Sequence, residues 1–153
     1  MRDKPLKIYL GDLTYDTVTV STNSFPLNIG YIGSYCIGRF KSKVEITLFK
    51  YIKELEQAIL TSPPDLLGLS NYCWNQNVSH EMFRLLHNKN PNALSVWGGP
   101  NIPGIKSHQE EWLKNFPEVD VYVPLEGEVG FSNVVESVLQ EKNRGEIRKN
   151  IRK

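Results

Sequence analysis

The 153-residue chain contains only two cysteines, Cys36 and Cys73. They are too few for a disulfide framework and have no paired metal-ligand spacing. An excess of either charge is also missing: 18 Lys and Arg face 17 Asp and Glu, a formal net charge of +1. Such a balance argues against nucleic acid or an acidic membrane surface as the main partner. No apolar run approaches the length of a membrane span, and Met1-Arg2-Asp3-Lys4-Pro5 lacks the apolar core of a signal peptide. A reducing cytoplasm is the expected location.

What the chain does have is a series of short apolar runs, each closed by small or acidic residues. Leu66-Leu67-Gly68-Leu69-Ser70, Leu94-Ser95-Val96-Trp97-Gly98-Gly99-Pro100 and Val121-Tyr122-Val123-Pro124-Leu125-Glu126-Gly127-Glu128 carry the pattern most clearly. Runs of this length bounded by turn signals read as strands buried on both faces, as in a parallel sheet. In open parallel sheets, ligands sit outside the carboxyl ends of the strands.

Read along the chain, residues 6–10 form a first strand closed by Gly11-Asp12. A polar loop follows from Leu13 to Phe25, long enough to suggest a functional role. A helix is expected over 29–37, weakened by Gly30 and Gly33 unless it packs closely on the sheet or a ligand. A strand over 44–49 and a helix over 50–60 follow, the helix stopped by Pro63-Pro64. After the strand at 66–70, a loop over 71–77 leads to a helix with Ser79 as N-cap and Met82, Phe83, Leu85 and Leu86 inward. The pattern closes with a strand over 93–97, a helix over 109–115, a strand over 120–123 and a helix over 128–140. The alternation predicts a three-layer, doubly wound, five-stranded parallel sheet in a domain over 1–140. Residues 141–153, with six basic and two acidic side chains, read as a basic linker leading away from it.

Four stretches carry a family resemblance. They are Pro26-Leu27-Asn28-Ile29-Gly30-Tyr31-Ile32, Pro64 to Asn75, Trp97-Gly98-Gly99-Pro100, and Asp120 to Glu128 followed by Phe131. In this order and spacing the chain resembles the N-terminal cobalamin-binding domain of B12-dependent radical S-adenosylmethionine (SAM) enzymes. The resemblance implies a flavodoxin-like fold holding cobalamin with its nucleotide tail extended into the sheet's carboxyl edge. It implies cofactor contacts from Asp12, Asn28, Ser70, Asn71, Tyr72, Trp74, Gly98, Gly99, Pro100, Glu126, Gly127 and Glu128. Ser70 would hydrogen-bond the benzimidazole, Gly98 and Gly99 would leave space for the tail, and the turn at 126–128 would offer helix N–H groups. Methyl transfer is the reaction that the resemblance favours.

Two features depart from related patterns. The Asp-x-His-x-x-Gly sequence that supplies a lower cobalt ligand in many B12 domains is absent, and no histidine precedes His80. Cobalamin is therefore expected base-off without a histidine ligand, its lower face shielded by Trp74. The Cys-x-x-x-Cys-x-x-Cys site for an iron–sulfur cluster is also absent. SAM and the [4Fe-4S] cluster would belong to a radical SAM domain beyond this chain, or to a partner chain.

Rival readings remain. A phosphoryl-accepting receiver would need an Asp where Ser70 stands and a Lys where Pro124 stands. A flavin-binding flavodoxin would need glycines in the Thr14 to Ser24 loop. A cofactor-free docking scaffold is a third possibility. Glu126 and Glu128 read as helix-start carboxylates, His80 and His87 as surface residues, and His108 as lacking a second ligand. Cys73 has no basic neighbour that would lower its pKa, and both cysteines read as structural.

Overall fold

In the computed structural model, which describes residues 4–15, 25–124 and 126–140, the apolar runs pair as one sheet. Its strands are β1 (Leu6–Thr14), β2 (Val44–Tyr51), β3 (Leu66–Ser70), β4 (Leu94–Gly98) and β5 (Val121–Val123). The helices are α1 (Leu27–Phe40), α2 (Ile52–Thr61), α3 (Gln76–Lys89), α4 (Lys106–Leu113) and α5 (Gly127–Gln140). Every pairing is parallel and the order is β2-β1-β3-β4-β5. This is the flavodoxin-like arrangement of a doubly wound α/β fold.

Strand side chains alternate between two cores. Leu6, Ile8 and Leu10 of β1 join Ile29, Cys36 and Phe40 of α1 and Phe131, Val134, Val135 and Val138 of α5. Tyr9 and Leu13 join Leu55 and Ile59 of α2, Met82, Phe83 and Leu86 of α3, and Trp112 and Leu113 of α4. Leu66 and Leu67, adjacent on β3, are both fully buried because helices cover both faces of the sheet.

Several boundaries differ from the sequence reading. Gly11-Asp12 does not end β1. The strand pairs with β2 from Leu6 to Gly11, passes an irregularity, and pairs again at Thr14 opposite Tyr51. A bulge adds residues without ending a strand, so a turn-like dipeptide there reads falsely as a stop. Ser79 does not cap α3, which starts at Gln76. Its side chain is buried, and Oγ donates to the Ser70 carbonyl at 3.4 Å. α4 lies three residues earlier than expected at its start, and β4 extends to Gly98. Gly33 lies on the sheet side of α1, where a Cβ would approach Leu48 at 3.4 Å and Leu10 at 3.6 Å. Residues 16–24 of the polar loop, residue 125 and the tail read as a linker lie outside the described residues.

Two aspartates lock the amino edge of the sheet. Asp65 accepts the Lys7 N–H through Oδ2 at 3.0 Å, while its own N–H and C=O bond Lys7 and Leu94 at 2.9 Å each. One residue thus ties β1, β3 and β4 together where they begin. Asp120 repeats the device, accepting the Ser95 N–H at 3.0 Å. A hydrogen bond to a charged group contributes about 2 kcal/mol. Asp65→Ala is therefore expected to lower the thermal midpoint by roughly 4–8 °C. A midpoint that does not move in a thermal scan would show that the carboxylate adds nothing to this lock.

Candidate functional site

The chain leaves β1 towards α1 on one face of the sheet and leaves β3 towards α3 on the other. The loops diverge there, as at the switch point of any doubly wound sheet. A cleft of about 280 Å³ opens at this carboxyl edge, on the α1 and α5 side. Leu10, Gly68, Val96 and Val123 line it from four strands, and Ile29, Ile32 and Phe131 from the two helices. Gly68 lets the Phe131 ring rest directly on the β3 backbone. A Cβ there would stand 2.7 Å from Phe131 Cε2 and 2.8 Å from Leu10 Cδ2.

Nine of the twelve residues singled out from the sequence meet around this cleft. Asn28 comes from α1, Ser70 and Tyr72 from the end of β3, and Gly98, Gly99 and Pro100 from the end of β4. Glu126, Gly127 and Glu128 complete the rim at the start of α5. Among the described residues no lysine or arginine lines it, and the two charged ones are glutamates. The apolar strand and helix residues around the cleft were not singled out as site residues, although Ile29, Ile32, Val123 and Phe131 belong to the motif stretches. In the sequence they are indistinguishable from ordinary core positions.

The other three, Asp12, Asn71 and Trp74, do not line the cleft; they stand behind or beside it. Asp12 Oδ1 accepts the Ser70 hydroxyl at 2.5 Å, and Ser70 Oγ in turn accepts the Asn75 amide at 3.2 Å. A hydroxyl has one donor and two lone pairs. Ser70 therefore offers the cleft one remaining acceptor site, and could donate to a ligand only by leaving Asp12. Asn71 is fully buried and ties two loops together. Its amide donates to the Asn101 carbonyl at 2.9 Å and to Tyr122 Oη at 3.4 Å, and its N–H donates to the Gly98 carbonyl at 2.6 Å. Tyr122 Oη donates to the Gly99 carbonyl at 2.8 Å. Burial raises the Tyr122 phenol pKa against the opposing Asn71 contact, so the phenol remains a donor at neutral pH. Trp74 is 56% exposed and stacks on Tyr72, with ring centroids 4.5 Å apart and planes 4° from parallel.

Gly99 has a backbone reason to be glycine, before any ligand is considered. Its φ is +121°, and a Cβ would lie 2.8 Å from the Asn71 carbonyl oxygen. At Gly98 the nearest obstacle is the Val123 carbonyl oxygen, at 3.3 Å.

The histidines are placed differently from the surface positions expected. His80 Nε2 lies 2.7 Å from Glu118 Oε2, and its ring packs edge-on against Phe116. His87 Nε2 lies 3.8 Å from Asp120 Oδ2, and both histidines are largely buried. Neither lines the cleft. Burial raises the Glu118 pKa, but the His80 hydrogen bond, a backbone hydrogen bond and the charges of His80 and Arg84 outweigh it, leaving the carboxyl below its ordinary value. Burial pushes the Cys36 thiol up to about 11 against the opposing charge of Arg39, whereas Cys73 is exposed. Among the described residues, no group of three or more His, Cys, Asp and Glu could hold a metal ion.

Solved structures share this architecture. The pilus assembly protein CpaE of Caulobacter crescentus superposes with a TM-score of 0.56 at 14% identity, covering 87% of this chain and 98% of that one. CpaE2 of Sinorhizobium meliloti gives 0.54 at 14%, covering 86% and 98%. At such identity the likeness concerns the fold alone, and the class defined is a flavodoxin-like α/β domain. Sequence comparison goes further. The chain is 32% identical over 90 residues to the cobalamin-dependent radical SAM methyltransferase TokK of Streptomyces tokunonensis. It is 35% identical over 80 residues to the 2-(S-pantetheinyl)-carbapenam-3-carboxylate methyltransferase of Streptantibioticus cattleyicolor. These matches cover 59% and 52% of this chain but 12% and 11% of the two enzymes. No protein-family profile matches the chain. The chain is thus a homologue of one segment of these much longer methyltransferases, in agreement with the motif resemblance.

Two outcomes test this geometry. A residue forced into an unfavourable backbone region costs of order 1–3 kcal/mol, so Gly99→Ala should lower the thermal midpoint clearly more than Gly98→Ala. Equal effects would contradict the backbone argument. The Glu118 contribution to stability is present above the ordinary carboxylate pKa and is lost as pH falls through the lowered folded value. In urea unfolding, Glu118→Gln should be less stable than the parent at pH 7, with the gap closing as acid protonates Glu118. A gap that persists undiminished in strong acid would exclude the ion pair as its source.

Proposed function

We propose that this chain is a cobalamin-binding module, with the cofactor's nucleotide tail extended into the cleft at the carboxyl edge of the sheet. The observation that carries the reading is the convergence of all four motif stretches on one apolar cleft with a polar rim. Phe131, Ile29, Ile32 and the strand residues would pack against the flat, apolar benzimidazole. The first turn of α5, from Gly127, would offer its unpaired N–H groups to the polar part of the tail. Among the described residues the lining has no lysine or arginine and carries Glu126 and Glu128 at its rim, a setting that suits a ligand of low charge. Cobalamin carries a single phosphodiester charge and a periphery of neutral amides.

The cofactor would be bound base-off, without a histidine ligand. Trp74, beside the cleft mouth, would shield the lower face of cobalt. The cofactor supplies cobalt-centred group transfer when bound, while these residues bind it, orient it and keep water from its lower face. From the relatives we infer methyl transfer, completed by a radical SAM domain that holds SAM and the [4Fe-4S] cluster in a longer protein or a partner chain. The setting would be the cytoplasm, with no nucleic acid or membrane as partner. No helix among the described residues is long and apolar enough to cross a membrane.

Titration of the chain with hydroxocobalamin, followed by visible spectroscopy and gel filtration, tests the reading. Saturable binding with a base-off spectrum is expected. Gly98→Val, which places a branched side chain at the cleft, should weaken it about tenfold or more, equivalent to ~1.4 kcal/mol. Trp74→Ala should alter the spectrum of the bound cofactor. Failure of hydroxocobalamin to bind, both alone and with the radical module added, would leave a docking scaffold as the better reading. Tight retention of flavin mononucleotide would favour the flavodoxin alternative.

A further inference from the structure

Asn75 is fully buried and connects three segments at the cleft mouth. Its Oδ1 accepts the Tyr72 N–H at 2.8 Å. Its Nδ2 donates to the Leu13 carbonyl and to Ser70 Oγ, each at 3.2 Å. A side-chain amide has one acceptor and two N–H donors, and each of its polar atoms is engaged here. The backbone of Asn75 adds two further ties. Its N–H donates to the Tyr72 carbonyl at 3.2 Å, and its own carbonyl accepts the Ser79 N–H at 2.9 Å. One residue therefore fixes the loop after β3 to the ends of β1 and β3 and to the first turn of α3.

That loop carries the stacked Tyr72 and Trp74. In an extended chain side chains at i and i+2 share a face but stand about 6.5 Å apart, so rings stacked 4.5 Å apart need the intervening backbone bent and held. The Asn75 clasp supplies that restraint by closing a turn around Cys73. Tyr72 lines the cleft, and Trp74 extends the stack beyond it with more than half of its surface exposed.

We propose that Asn75 is a positioning residue, setting the plane of the Tyr72–Trp74 stack so that a corrin whose tail fills the cleft meets a preformed aromatic face. The inference rests on the cobalamin reading above and adds a residue outside the contact set. It separates two parts of the ligand, the tail in the cleft and the ring against the stack.

The test compares hydroxocobalamin with dicyanocobinamide, a corrin that lacks the nucleotide tail, on the 153-residue chain. Asn75→Ala should abolish the Tyr–Trp couplet in the near-ultraviolet circular dichroism. It should weaken both corrinoids by the same factor, up to about tenfold. In a Trp74→Ala background the same change should add no further loss, because its effect passes through the stack. A couplet that survives Asn75→Ala, a loss confined to hydroxocobalamin, or an undiminished loss in the Trp74→Ala background would each overturn the proposal. If Asn75→Ala does not fold, Asn75→Ser replaces it, keeping an acceptor for the Tyr72 N–H without the amide donors. Couplet and affinity must then fall together, and either falling alone overturns the proposal. If the parent chain binds neither corrinoid, alone or with the radical module added, the cofactor reading fails and this inference with it. If the parent binds both and Asn75→Ala changes nothing, the inference fails alone.

Discussion

The cleft depends on one topological constraint: the chain must leave β1 and β3 towards opposite faces of the sheet. Parallel strands need crossover connections, and a sheet wound in both directions must reverse its direction of progress across the sheet once. Here the reversal falls between β1 and β3, so the connections to α1 and α3 leave towards opposite faces of the sheet. The hydrogen bond from Ser70 to Asp12 spans the base of this divergence. It continues the tie between β1 and β3 just beyond their last paired residues, Gly11 and Leu69.

Above that base, the site is built from two loop clamps with different chemistry. The loop after β4 is held by Asn71, Asn101 and Tyr122, with Gly99 accepting a backbone conformation that few other residues tolerate. The loop after β3 is held by Asn75. Both clamps use buried side-chain amides, which can donate and accept at once without bringing a charge into the protein. Satisfied networks of this kind rigidify the segments they join, and rigid loops lower the entropy lost when a ligand is ordered against them.

Much of the fold was legible in the sequence because strands buried on both faces advertise themselves as short apolar runs. Leu66–Ser70 was read with the boundaries it has, since Pro63-Pro64 and Asn71 flank it with clear breaks. Gly11-Asp12 misled, because a bulge and a turn share the same residue types and only pairing with β2 tells them apart. Ser79 misled for a related reason. A serine near the start of a helical pattern suggests a cap, yet this one lies inside the helix and bonds back to the sheet. His80 and His87 stand seven residues apart on α3, but their acidic partners come from the approach to β5, some thirty to forty positions away in the chain.

The sequence by itself determined the α/β alternation, the parallel sheet and most of the polar rim of the cleft at the strand ends. These follow from local properties: periodicity, turn residues and motif order. Tertiary structure decided which rim residues face the cleft and which stand behind it, as Asp12 and Asn71 do. It also decided that Ser70 donates its hydrogen bond to Asp12, and that Asn75 fastens the loop after β3. Those outcomes depend on contacts between segments up to 62 residues apart, and a one-dimensional pattern carries no information about which distant polar groups will meet.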